Sequence, residues 1–137
     1  MTGGNHREFW ASTTSVHRFD IAKNKWEDMP CFNIRRLEHS SCALGTKLYI
    51  FMGKNEYSYL NSIEHLETNN VFASKPATWK LLEIEGEACD TIPYCNIGVT
   101  SLNNHEFVII GGYRHGQVYV GDIHLFNTDT GDIENVI

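Results

Sequence analysis

The stretch RLEHSSCALGTKLYIFMG, residues 36–53, reads as two β-strands joined by a tight turn. Gly45 supplies the turn, and the residues on both sides of it are β-branched, aromatic or small, as is typical of strands. A second copy at residues 96–112, NIGVTSLNNHEFVIIGG, has one extra residue in its turn. Turns absorb such insertions because their backbone stays hydrated at the surface. The chain therefore contains a repeated strand pair that ends in glycine.

A polar loop and then an alternating strand follow each glycine end. The three alternating strands read SVHRFD at 15–20, SIEHLE at 62–67 and DIHLFN at 122–127. This alternation places every second side chain on one face, which is typical of half-buried strands. Corresponding positions downstream, which mark a fourth strand, are occupied by Trp26, Trp79 and Ile133. The pattern predicts an all-β protein built from four-stranded antiparallel meanders.

The repeated unit resembles the kelch motif of β-propeller proteins. Arg36, His39 and Ser40 are followed by LYIF at 48–51 and by Gly53, which is similar to the kelch line R-x-x-H-S … l-Y-v-f-G-G. The resemblance implies an incomplete propeller of about two and a half blades. The implied blades are the C-terminal part of a first blade at 1–31, a complete blade at 32–84, and a third at 85–137 whose last strand can be truncated.

The motif residues have structural roles by this resemblance. Paired glycines permit a backbone with positive φ and a close approach of strands, and tryptophan supplies a large apolar surface between sheets. The residues assigned to this set are Gly3, Gly4, Trp26, His39, Gly53, Trp79, Gly111 and Gly112. The chain departs from the motif at Met52, which replaces one glycine, and at Tyr94 and Ile97, which stand at the Arg and His positions of the third unit.

Two alternatives concern the architecture. A propeller of the WD type is the nearest rival, but the chain has no Trp-Asp dipeptide, and that fold leaves the paired glycines unexplained. Closed propellers have about four or more blades, so two and a half blades do not close. We therefore expect the remaining blades to come from the rest of a longer chain, from another copy of this chain or from another protein.

Composition argues against several classes of function. The net charge of −6 is unsuited to a phosphate backbone, so nucleic acid is not an expected partner. No window is apolar enough to span a bilayer, and the N-terminus lacks the apolar stretch of a signal peptide. Four scattered cysteines, Cys31, Cys42, Cys89 and Cys95, show no zinc-ligand spacing and are typical of free thiols in a reducing compartment. We expect a cytoplasmic protein without a membrane segment.

No catalytic signature is present, and we expect neither an enzyme nor a cofactor. Common nucleotide and hydrolase motifs are missing from the sequence. His17, His65 and His124 stand at similar places in the three alternating strands, which predicts outward-facing polar residues rather than metal ligands. The alternative is a copper enzyme similar to galactose oxidase. Its ligand order of Tyr and His is not recognisable in this chain.

The predicted function is binding of a protein partner through the blade loops, as a scaffold, a cytoskeletal or assembly component, or the substrate-recognition part of a ubiquitin ligase adaptor. One loop set follows the glycine ends at 54–61 and 113–119, and another enters each blade at 33–38 and 92–96. Tyr and Arg are favoured at such surfaces. The candidate residues are Arg35, Arg36, Glu38, Lys54, Asn55, Tyr57, Tyr59, Asn96, Tyr113, Arg114 and His115. The kelch resemblance implies that Glu38 and Asn96 occupy the position that often carries a pocket-lining Arg in ligase adaptors.

Overall fold

The computed structural model describes residues 5–6, 11–70, 77–82, 84, 92–93, 95–114 and 118–137. The strands are β1 (Asn5–His6), β2 (Ala11–Ser12), β3 (Val16–Asp20), β4 (Lys25–Met29), β5 (Ser40–Leu44), β6 (Lys47–Phe51), β7 (Ile63–Glu67), β8 (Lys80–Leu82), β9 (Gly98–Ser101), β10 (Glu106–Arg114), β11 (Val118–Asn127) and β12 (Ile133–Asn135). A single 3₁₀ turn covers Thr68–Asn70. Over these ranges no α-helix occurs, and no helix is long and apolar enough to cross a membrane.

The middle sheet consists of β5–β8 in the order β5-β6-β7-β8, with antiparallel pairing throughout. Its hairpin turns at Gly45, whose φ of 58° is left-handed and suits glycine. Tyr49 marks the register because it pairs with Cys42 on one side and with His65 on the other. The sequence prediction of a four-stranded meander is confirmed for this unit.

The C-terminal sheet repeats this order as β9-β10-β11-β12. Ile109 pairs with Val99 and His124, and His124 pairs in turn with Asn135. The central strands β10 and β11 are longer than their counterparts, because their pairing continues past a bulge between Ile110 and Gly112. The two complete sheets confirm the all-β fold built from kelch-like blades.

Two shorter pieces precede the middle sheet. Strands β3 and β4 form an N-terminal hairpin in which Phe19 pairs with Trp26, and β1 pairs with β2. The hairpin corresponds to the third and fourth strands of the complete sheets. Together, the sheets that the structure describes form an incomplete propeller, as the sequence predicts.

The main core lies between the middle and C-terminal sheets. Phe51 and Ile63 from one sheet pack with Phe107 and Phe126 from the other, and none of the four side chains is exposed. The Phe51 and Phe107 rings meet edge to face with centroids 5.0 Å apart. Burying each such side chain contributes about 1.5–3 kcal/mol. This contact fixes the relative position of the loops at the ends of the two sheets.

A second core lies between the N-terminal hairpin and the middle sheet. Trp79 is buried against Phe32, with ring centroids 4.8 Å apart, and its indole N–H donates to the Pro30 carbonyl at 2.7 Å. On the opposite face of the hairpin, Phe19 and Trp26 are 43% and 54% exposed. Leu66 and Trp79 occupy the equivalent positions in the middle sheet and are buried, because a neighbouring sheet covers them. No sheet of the described residues covers this outer face of the hairpin.

Candidate functional site

The segments entering and leaving each complete sheet meet at one end of the molecule. Leu37 and Lys54 exchange backbone hydrogen bonds of 2.8 and 2.9 Å, and the Tyr113 N–H donates to the Cys95 carbonyl at 2.8 Å. The Asn96 N–H donates to the Glu38 carbonyl at 3.2 Å and so links the two units. Both predicted loop sets therefore converge on one surface, which we call the glycine end.

The two positions of each glycine pair are not equivalent. Met52 and Gly111, at the first position, have φ of 55° and 57°, a left-handed conformation that non-glycine residues can adopt at some cost. Gly53 and Gly112, at the second position, have φ of 102° and 121°. A Cβ atom on Gly53 would lie 2.7 Å from the Leu37 carbonyl oxygen. Only the second position therefore requires glycine, which explains why Met52 is tolerated.

His39 lies against this close approach. Its Cβ lies 3.1 Å from the position that a Gly53 Cβ would take, and its ring packs edge to face on Phe32 at 5.7 Å. The second pair is packed more tightly still, since a Cβ on Gly112 would lie 2.5 Å from the Ile97 Cγ2 atom. Ile97, at the motif's histidine position, fills the equivalent space.

The loop from β6 to β7 holds Tyr57 in a fixed turn. The Asn55 side-chain oxygen accepts hydrogen bonds of 2.9 Å from the backbone N–H groups of Tyr57 and Ser58. The Glu56 carboxylate accepts from the backbone N–H and the hydroxyl of Ser12, which anchors the loop to β2. A hydrogen bond from its own backbone N–H lowers the pKa of Glu56, and the hydrogen bonds from Ser12 act in the same direction. Tyr57 is 91% exposed at the tip of this anchored turn.

Three further tyrosines form a row across the two sheets. The Tyr59 and Tyr113 ring centroids lie 6.0 Å apart, and Tyr113 and Tyr119 meet edge to face at 5.4 Å. Desolvation raises the pKa of Tyr113, and its hydrogen bond with Tyr59 acts in the same direction. The Tyr113 hydroxyl therefore remains protonated at neutral pH. We call Tyr57, Tyr59, Tyr113 and Tyr119 the tyrosine face.

Charged groups beside the tyrosine face are paired within the chain. Lys54 Nζ lies 2.7 Å from Glu38 Oε1, and this hydrogen bond raises the pKa of Lys54. Arg114 binds Asp122 at 2.7 Å. Burial raises the pKa of the nearby Cys95 thiol to about 11, and the charge of Glu38 adds to the effect. Cys95 is therefore a protonated, unreactive thiol.

A cleft of about 630 Å³ adjoins the tyrosine face. Its lining is polar and aromatic, and comprises Lys54, Asn55, Glu56, Tyr57, Ser58, Tyr59 and Asn61. A smaller cleft of about 300 Å³ lies at the opposite end, between hairpin turns that include His105 and Asp129, whose Nδ1 and Oδ2 atoms are 2.8 Å apart. The larger cleft is the one that coincides with the predicted binding loops.

Arg36 does not belong to this surface. It is fully buried, and its guanidinium binds Glu64 at 2.6 Å, the Met52 carbonyl at 2.6 Å and the Ser62 carbonyl at 3.3 Å. The prediction that Arg36 is a partner-binding loop residue is therefore wrong, because the side chain ties the entering segment to β7. The neighbouring Arg35 is exposed.

The segment after the second glycine pair also differs from its prediction as a loop. Tyr113 and Arg114 are strand residues of β10, paired with Tyr119 and Val118 of β11. This strand extension brings Tyr119, which is 76% exposed, into the tyrosine row. Tyr119 was not among the candidate residues, although its place in the predicted 113–119 loop was a usable signal.

Some predicted residues lie outside the described ones, namely Gly3, Gly4 and His115. Among the three strand histidines, His124 is fully buried, so its prediction as an outward-facing residue is wrong. It shares a face of β11 with Phe126, and that face packs against the middle sheet. Over the ranges that the structure describes, no group of three or more His, Cys, Asp or Glu side chains could hold a metal ion.

Sequence comparison places kelch proteins among the relatives. The chain is 24% identical over 139 residues to Kelch domain-containing protein 3 of Rattus norvegicus, which covers 93% of the chain and 34% of the relative. The Mus musculus protein of the same name matches equally. An F-box/kelch-repeat protein of Arabidopsis thaliana is 26% identical over 106 residues, or 77% of the chain and 26% of the relative.

The chain thus spans about a third or less of the length of the curated relatives it matches. No protein-family model matches it. Kelch-named relatives indicate a protein-interaction module in general terms. Together with the glycine-closed strand pairs and the four-stranded antiparallel sheets, these relatives show that the chain is similar to kelch-repeat proteins.

Proposed function

We propose that the chain binds a protein partner across the tyrosine face at the glycine end of its blades. The observation that carries the proposal is the set of tyrosines on an anchored frame, with Tyr57 91% and Tyr119 76% exposed. Tyrosine offers a large contact area with a polar tip and loses little conformational entropy on binding. An exposed aromatic on a fixed loop binds without an additional ordering cost.

The wider role follows from the kelch relationship. One relative combines an F-box with kelch repeats by its name, which supports a recognition surface that serves a larger protein. We propose a scaffold, a cytoskeletal or assembly component, or the substrate-recognition part of a ubiquitin ligase adaptor. The blade divisions at 31/32 and 84/85, and completion of the propeller by further blades, belong to the same proposal.

Selection of peptides from a displayed random library on the purified, immobilised protein tests the proposal. The test variant is Tyr57→Ala with Tyr119→Ala, and the control is Leu102→Ala, a 56% exposed residue outside the glycine end. Loss of these two aromatic side chains is expected to weaken the binding of the selected peptides at least about tenfold. The control is expected to leave binding unchanged. Selected peptides that bind the double variant as tightly as the parent would refute the proposal.

A further inference from the structure

Around Tyr59 and Tyr113, the described backbone of the glycine end is paired within the chain. The Lys54 backbone forms antiparallel β-bridges with both Leu37 and Tyr59, and the Cys95 backbone forms one with Tyr113. Beyond the bulge, Arg114 and Tyr113 of β10 are paired with β11. A ligand that adds as a β-strand needs an unpaired strand edge. Recognition by Tyr59 and Tyr113 therefore depends on their side chains.

The charges next to the tyrosine row compensate each other. Lys54 is neutralised by Glu38, and Arg114 by Asp122. A strongly acidic or basic peptide would have to break one of these ion pairs before it could form an ion pair with the protein. The broken pair would offset most of the favourable Coulomb energy of the new one. Charge complementarity at this surface thus favours an uncharged ligand.

The shape of the row suits an extended helix of the polyproline II type. The consecutive centroid distances of 6.0 and 5.4 Å make an aromatic ledge of at most about 11 Å, near the ~9 Å length of one polyproline II turn. Such a helix has no internal hydrogen bonds, so its carbonyls remain available to tyrosine hydroxyls. Its proline rings pack on aromatic surfaces at low entropic cost.

We propose that the tyrosine face binds an uncharged, proline-rich segment of a partner protein in the polyproline II conformation. The inference rests on the proposed function and specifies the class of partner. Tyr59, Tyr113 and Tyr119 supply the ledge. Tyr57 borders the cleft beside it and contacts the flanking residues of the segment.

Fluorescently labelled peptides of equal length test the proposal in solution with the full chain. The probes are decaproline, a Gly-Ser decapeptide and a decapeptide of alternating Glu and Ser. Decaproline is expected to bind at least about tenfold more tightly than the other two, because it is already extended and apolar. The affinity of decaproline is expected to change little as salt concentration rises, because its binding involves no ion pair with the protein.

Two variants examine the ledge itself. Tyr119→Ala removes an exposed ring and is expected to weaken decaproline binding about tenfold, with Leu102→Ala again as the unchanged control. Tyr119→Phe retains the ring but removes its exposed hydroxyl, and a several-fold loss of decaproline affinity is expected. Thermal unfolding of both variants serves as the check on folding, because a hydroxyl at the surface contributes little stability.

The outcomes separate this inference from the proposed function. Failure of decaproline to bind, equal binding of the Gly-Ser or acidic probe, or insensitivity to Tyr119→Ala would overturn the polyproline inference. Library peptides that lack proline yet depend on Tyr57 and Tyr119 would overturn it as well, while leaving the proposed function intact. Absence of any tyrosine-dependent peptide would refute both.

Discussion

The middle sheet and the C-terminal sheet place different chemistry at one buried position. Glu64 in β7 and His124 in β11 correspond, and both are fully buried. Glu64 binds Arg36 at 2.6 Å and the Asn33 N–H at 2.8 Å, whereas neither ring nitrogen of His124 has a hydrogen-bond partner among the described residues. The two units therefore place a paired carboxylate and an unpartnered imidazole at the same buried position.

The two sheets also differ after their glycine pairs. The middle sheet has Met52–Gly53 followed by a loop, whereas the C-terminal sheet has Gly111–Gly112 followed by a strand extension. The second position has the more extreme φ in both pairs, and its surroundings exclude a Cβ atom in both. The two units therefore share one backbone conformation at the second glycine, while the structure beyond it differs between them.

The largest expected effect comes from breaking the middle sheet's buried ion pair. Arg36→Ala leaves the Glu64 carboxylate buried without its cation, and removes donors from the Met52 and Ser62 carbonyls. Loss of one partner of a buried pair costs about 3–5 kcal/mol. Urea unfolding is expected to show this decrease in the free energy of unfolding.

The matched control for that prediction removes both charges. Arg36→Met combined with Glu64→Gln is expected to recover more than half of the loss, because no buried charge is left unpaired. A double variant no more stable than Arg36→Ala would contradict the interpretation, and would assign the stabilisation to the Arg36 hydrogen bonds with backbone carbonyls instead.

The next effect distinguishes the two glycines of the second pair. In Gly112→Ala the new Cβ would lie 2.5 Å from Ile97 and 2.8 Å from Pro93, at a φ of 121°. Backbone strain and overpacking together predict a loss of about 3 kcal/mol. Gly111→Asn is the control, because Asn tolerates the φ of 57° there, and a loss of about 1 kcal/mol is expected. Equal losses in thermal or urea unfolding would contradict the non-equivalence of the two positions.

A smaller effect separates the two tryptophans. Trp79→Phe removes the indole N–H that donates to the Pro30 carbonyl at 2.7 Å, and a loss of about 2 kcal/mol is expected. Trp26→Phe, at a side chain that is 54% exposed, is expected to change stability by less than about 0.5 kcal/mol. If the Trp26 variant were as unstable as the Trp79 variant, the hairpin's outer face would have to be covered in solution.

The strand repeat could be predicted from sequence because it depends on local signals. Alternation, the turn at Gly45 and the glycine ends are all visible within a few residues of each other. The convergence of the loops on one end also follows from the repeat, since equivalent connections lie at the same end of each meander. The strand extension at Tyr113 was not predicted because its polar and aromatic residues resemble a loop. Only the pairing with β11, which the sequence does not show, identifies it as a strand.

Burial of polar residues could not be predicted in the same way. Arg36 lies beside exposed Arg35 in a polar segment, and its burial depends on partners distant in sequence, above all Glu64. His124 is covered by the middle sheet, and alternation within one strand does not identify which face a neighbouring sheet will cover. Both errors concern contacts between segments far apart in sequence, for which the local pattern carries no signal.

The smallest expected effect tests His124 through pH. Burial lowers its pKa below the ordinary value of 6.5, with Asp122 opposing and Arg114 reinforcing the shift, while Ile109 and Asn135 flank it on β10 and β12. The unfolded chain therefore takes up a proton near pH 6.5 that the folded chain resists. Stability from this group is complete above pH 6.5 and decreases as pH falls towards the folded pKa, by no more than about 1.4 kcal/mol per pH unit.

Urea unfolding between neutral and mildly acidic pH compares the parent with His124→Gln, which cannot titrate. His65 has a lowered pKa for the same leading reason, burial, so some acid sensitivity is expected to persist in the variant. The variant is expected to lose less stability than the parent over this range. Identical pH dependence would mean that the folded protein protonates His124 as readily as the unfolded chain. The C-terminal sheet would then have to supply an acceptor for the charged ring, just as Arg36 supplies a donor for Glu64, and the contrast between the two buried positions would disappear.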